Sequence, residues 1–77
     1  MNSNKTIILD VSELEAPYPL LKALEAIHEL KSDETLIFIH RMSPCKLFEV
    51  IEKNSLKYEI IKDEENYFEM KIYKGKK

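Results

Sequence analysis

A chain of 77 residues has room for one hydrophobic core and no second domain. Its formal net charge of −2 argues against a general nucleic-acid binder, and its single cysteine excludes an intramolecular disulfide. A domain this small buries only roughly 60–65% of the surface its unfolded chain exposes, so its stability rests on a modest apolar core.

The first six residues are polar, and the apolar run at 7–9 is too short for a signal peptide or a membrane span. With an unpaired cysteine, the expectation is a cytoplasmic protein with no membrane contact. Gly75, the only glycine, rules out a glycine-rich phosphate loop. No repeat or linker divides the chain, which reads as one domain over 1–77 with an ordered core at about 6–73.

Residues 6–11 are β-branched and apolar, which predicts a first strand. A loop follows at 12–16. Pro17 then suits the first turn of a helix, where its missing N–H costs nothing. Pro19 is tolerable there too, because first-turn donors lack intrahelical partners. Leu20, Ala23, Leu24, Ile27 and Leu30 fall on one face, with Lys22, Glu25 and Glu29 opposite. Leu21 and His28 border this amphipathic stripe, and Ser32-Asp33 ends it. Residues 35–40, Thr-Leu-Ile-Phe-Ile-His, are an almost unbroken apolar run and predict a central strand. Strand, helix and strand of this length imply a right-handed parallel crossover.

Ser43-Pro44 opens a second helix, with Ser43 as N-cap and Pro44 at the first position. Leu47, Phe48 and Ile51 line its buried face, and Lys46, Glu49 and Lys53 face water. Asn54-Ser55 is a stop, since Asn tolerates the left-handed conformation. Residues 57–62 and 67–73 alternate polar and apolar about a turn at 63–66, which predicts a hairpin. Phe68, Met70 and Ile72 point one way; Tyr67, Glu69, Lys71 and Tyr73 point the other. Residues 74–77 form a basic tail expected to fray. The fold class is therefore α+β, a βαβαββ two-layer sandwich with both helices on one sheet face and the other face open. The helix stripes should form the core, so Leu24→Ala is expected to unfold a large fraction of the protein.

One stretch carries more. Leu9-Asp10 ends the first strand, a short loop follows, and Ala16-Pro17-Tyr18-Pro19-Leu20 opens the helix. This resembles the Cys-Pro-x-Pro motif of the TusA/SirA-like family of small sulfur-carrier proteins, and Pro44 matches the proline that opens the family's second helix. The resemblance spans roughly residues 7–73 and looks closest to a branch of unassigned function that lacks the carrier cysteine. It implies a mixed four-stranded sheet whose last strand lies inside the sheet, antiparallel to the rest. Three departures stand out. Ala16 occupies the place of the persulfide-bearing cysteine, and a methyl group cannot hold sulfur. Glu13 replaces the usual loop glycine. His40-Arg41-Met42-Ser43 replaces the acidic residues common before the second helix.

In parallel βα units both helix starts lie at the C-terminal ends of their strands. A binding rim is therefore expected from Asp10, Ala16, Pro17, Pro19, His40, Arg41, Ser43 and Cys45, able to take an anion, a partner's carboxylate or a sulfur species. Cys45, beside Arg41 and Lys46, is either a relocated sulfur or redox thiol, since such surroundings favour the nucleophilic thiolate, or an inconsequential small residue. His40 is either an acid/base group or ligand, or a hydrogen-bonded strand-end histidine. Arg41 pairs with Asp10, binds an anion or is simply solvated. One His and one Cys fall short of a zinc site, so neither metal nor cofactor is implied. Ile61, Tyr67 and Tyr73 form a candidate docking cluster on the open sheet face, for a larger partner or a second copy; the alternative is an ordinary amphipathic face.

The reading these features favour is a non-catalytic binding module with a protein partner or a small anionic ligand at the rim, a second copy of the chain (a homodimer) being one candidate partner. A sulfur-transfer or redox protein acting through Cys45 is the alternative. A third reading, an RNA-associated module, rests on a similar layered topology in the C-terminal domain of a bacterial translation initiation factor. Glu59 and Glu69 on the sheet face argue against it.

Overall fold

A computed structural model describes residues 5–74. The elements are β1 (Lys5–Asp10), α1 (Tyr18–Glu29), β2 (Glu34–His40), α2 (Cys45–Lys53), β3 (Lys57–Glu64) and β4 (Tyr67–Tyr73). They form a four-stranded sheet in the order β1-β2-β4-β3. β1 and β2 are parallel, while β4 is antiparallel to both of its neighbours, β2 and β3. The last strand thus lies inside a mixed sheet, and the apolar β2 is central, as expected.

Period-two patterning decides which residues form the core. Leu36 and Phe38 of β2 oppose Ile72 and Met70 of β4, and His40 opposes Phe68. All six are buried. Their neighbours Ile37, Ile39, Glu69 and Lys71 are half-buried on the other face, so one sheet face is covered and one is open. α1 and α2 touch each other, and their buried residues join those of the sheet in one cluster with Val11 and Leu30.

The helix stripes are correct in kind but shifted. α1 buries Pro19, Ala23 and Ile27, and Leu30 just beyond it is buried as well. Leu24 is only half-buried. At about 100° per residue it lies roughly 100° from the centre of that stripe, so it flanks the core rather than filling it. Leu47 and Ile51 are fully enclosed, and Leu20 and Phe48 pack at the margin.

Three termini differ from expectation. α1 starts at Tyr18 with Pro17 at the N-cap position, and α2 starts at Cys45 with Pro44 at that position; neither has a side-chain cap hydrogen bond. Ser43 therefore lies outside the helix and does not cap it, because a residue preceding proline is pushed toward extended backbone. At the C-terminus of α2 the left-handed residue is Ser55 (φ 57°), not Asn54. The Leu56 amide donates to the Ile51 carbonyl (2.9 Å) and the Ser55 amide to that of Glu52 (3.2 Å), the paired pattern of a Schellman motif. Asn54 instead donates its side-chain amide to the Val50 carbonyl at 2.8 Å. The hairpin turn is tighter than the predicted 63–66: Glu64 pairs with Tyr67, leaving two turn residues, of which Asn66 has φ 66°. Apart from Lys74, the basic tail lies outside the described residues.

Candidate functional site

Because β1 and β2 are parallel, their C-terminal ends, Asp10 and His40, emerge on one rim. The loop to α1 and the loop to α2 rise from that rim and enclose a groove of about 530 Å³. Ala16, Pro17 and Pro19 line one wall, and His40, Arg41, Ser43 and Cys45 line the other. Seven of the eight expected rim residues are thereby brought together. Asp10 is the exception. Its Oδ1 accepts hydrogen bonds from the Ser12 amide (3.0 Å) and hydroxyl (2.7 Å). It thus shapes the loop as an Asx-turn instead of facing the groove. Those bonds, the side-chain one foremost, hold its carboxyl below the ordinary range.

Arg41 is exposed and makes no ion pair with Asp10. Its Nη2 donates to the Leu14 carbonyl at 3.1 Å, which ties one loop to the other across the groove. Leu14 is apolar and packs against the core margin, so the strap is anchored at both ends. His40 is 8% exposed. Its ring meets Phe38 edge-on at 6.0 Å, and its Nδ1 is enclosed without a hydrogen-bond partner among the described residues. The expected strand-end hydrogen bond is therefore not made at that nitrogen. Burial first, then the neighbouring Arg41 charge, lower its pKa; Asp10 opposes them. Burial thus favours the neutral form of His40 in the groove wall. Among the described residues, no group of three His, Cys, Asp or Glu side chains is arranged to hold a metal, and no helix is long and apolar enough to cross a membrane.

The sequence model of the family described as Sulfurtransferase TusA matches residues 7–74. The chain belongs to the TusA family. Comparisons with curated proteins and with solved structures gave no match.

The groove of this TusA-family chain has a methyl group, Ala16, in its wall at the place the motif gives to the carrier cysteine. Cys45 is exposed and lines the same groove. Sequence reasoning missed Leu14, Met42 and Lys46 as wall residues. Met42 had a signal: a large apolar residue in a polar loop, 61% exposed in the fold, has no core to serve. Leu14 carried a weaker one, as an apolar residue alternating with acids. The proposed docking cluster is not one cluster. Tyr67 and Tyr73 stand at opposite ends of β4, roughly 20 Å apart at the rise of a strand. Tyr67 donates its hydroxyl to Glu69 at 2.7 Å, and the Lys71 ammonium lies 5.5 Å from the centre of the Tyr73 ring. Ile61 sits at a bulge in β3 between Ile60 and Lys62, with no partner on β4.

Proposed function

We propose that this chain is a non-catalytic binding module of the TusA family, which seats a partner protein or a small anionic ligand in the groove between its two helix starts. The observation that carries the reading is Ala16. The chain has a groove between its helix starts, but the position from which a carrier would present sulfur has no nucleophile. Its walls are apolar at Leu14, Pro17, Pro19 and Met42, while Arg41 and Lys46 supply positive charge. That combination suits an apolar segment ending in, or flanked by, a carboxylate.

Exposure of Cys45 across the groove from Ala16 favours one second reading, sulfur transfer through a displaced thiol. There the Cys45 thiolate would attack the outer sulfur of a donor persulfide R–S–SH. A Cys45–S–SH bond would form as the donor S–S bond breaks, releasing R–S⁻. Intact-mass analysis after incubation with a persulfide donor separates the two. The binding-module reading expects no retained sulfur on the wild type, and expects a partner captured by the wild type to be lost by Ala16→Trp, which fills the groove. One added sulfur, absent from Cys45→Ser, would overturn it in favour of the thiol.

A further inference from the structure

β3 is a free edge of the sheet, and all eight of its residues are exposed. An edge strand presents unpaired backbone donors and acceptors to any second strand. Three large apolar side chains stand along it, Tyr58 (42% exposed), Ile60 (45%) and Ile61 (46%). The remaining residues, Lys57, Glu59, Lys62, Asp63 and Glu64, are all charged.

The order of these charges is self-complementary when the strand is read against its own reverse. With Ile60 set against Ile61 of a second copy, Glu59 meets Lys62, Tyr58 meets Asp63 and Lys57 meets Glu64. In an unbroken strand this register would fail. Directly opposed residues of an antiparallel pair share a face, whereas Lys57 and Glu64, an odd number of positions apart, would face opposite ways. The bulge at Ile61 corrects the parity. Lys57, Glu59, Lys62 and Glu64 all oppose open-face residues of β4, namely Tyr73, Lys71, Glu69 and Tyr67. Tyr58, Ile60 and Asp63 all oppose helix-side residues, Ile72, Met70 and Phe68. Each charged pair therefore falls on one face, and Ile60 and Ile61 fall together at the centre. The other free edge, β1, has no bulge in its register. Setting its Lys5 against Asp10 would match residues of opposite faces.

We propose that β3 pairs antiparallel with β3 of a second copy about a two-fold axis near Ile60 and Ile61, joining two sheets into one. The contact is isologous, so each opposite-charge pair occurs twice. It leaves the groove untouched and does not depend on what the groove binds.

Sedimentation equilibrium on the full chain at low salt tests this, with the Lys62→Glu and Glu59→Lys/Lys62→Glu variants beside it. The expected result is a concentration-dependent dimer. Lys62→Glu should weaken it by roughly ten-fold or more, because two attractive cross-strand pairs become repulsive. Glu59 also pairs with Lys71 of its own chain at 3.3 Å, a contact the double variant loses. By exchanging the cross-copy charges it should still recover at least about three-fold of the affinity lost by Lys62→Glu. Circular dichroism melts confirm that each variant is folded. A wild-type monomer throughout, up to about 1 mM, would overturn the proposal. So would a dimer indifferent to Lys62→Glu, or a double variant no tighter than the single one.

Discussion

The Arg41 guanidinium donates a 3.1 Å hydrogen bond to the carbonyl of Leu14, 27 positions earlier in the chain. This bond joins the two loops that wall the groove. Arg41→Ala should cost only about 0.5–1 kcal/mol of global stability, since the bond is exposed to water. Its local effect should be larger. The Leu14 and Tyr18 amides, bonded within the first loop to Val11 and Glu15, should exchange with solvent several-fold faster while the Phe38 amide is unchanged. Hydrogen exchange followed by NMR checks this; equal protection at Leu14 in both proteins would mean that the strap does not hold the loop.

Ile51 is fully enclosed, and Leu24 flanks the core. Ile51→Ala should cost about 2–5 kcal/mol, the range for emptying a packed aliphatic site. At roughly 4–8 °C per kcal/mol for a domain of this size, it should be largely unfolded at 37 °C. Leu24→Ala should cost less than half as much. Thermal melts of the two variants measure the ranking, and a Leu24→Ala loss equal to that of Ile51→Ala would move the centre of the α1 stripe.

Burial lowers the pKa of His40, and the unfolded chain titrates near the ordinary value of about 6.5. Between those two values the unfolded state binds the extra proton. Stability is therefore full above pH 6.5 and falls as the pH drops toward the lowered folded value, by at most about 1.4 kcal/mol per pH unit. His40→Leu should remove this slope. Urea denaturation from pH 7.5 to 5 would show it as a difference curve that is flat above 6.5 and declines below; a wild-type curve parallel to that of the variant would contradict the assignment.

Ser55 holds a left-handed backbone conformation (φ 57°) at the end of α2, a conformation costing a residue with a β-carbon roughly 1 kcal/mol more than glycine. Ser55→Gly should raise stability by about 0.5–1 kcal/mol, and the melting temperature by a few degrees. A lower melting temperature would show that the flexibility gained by the unfolded chain outweighs the relief.

The element order, the central place of β2, the two-faced β4 and the two prolines at the helix starts were all legible in the residues. Local causes produce each of them. A period-two or period-3.6 apolar pattern selects the element, and a proline without an N–H fits only where no donor is needed. The Cys-Pro-x-Pro-like motif added the mixed sheet and pointed to the rim. Tertiary structure decided what local pattern leaves open. Ala23 and Ile27 are buried while Leu24 is only half-buried, because packing against the sheet sets the rotation of α1, and a stripe of apolar residues on a helix is wider than the surface that covers it. Arg41 bonds a carbonyl in a distant loop, while Asp10 is turned to Ser12 two positions away; neither partner is visible in the order of the residues. The bulge at Ile61 has no signature in alternation alone. It exists only relative to β4, and it sets which face of the sheet each charge of the outer strand occupies.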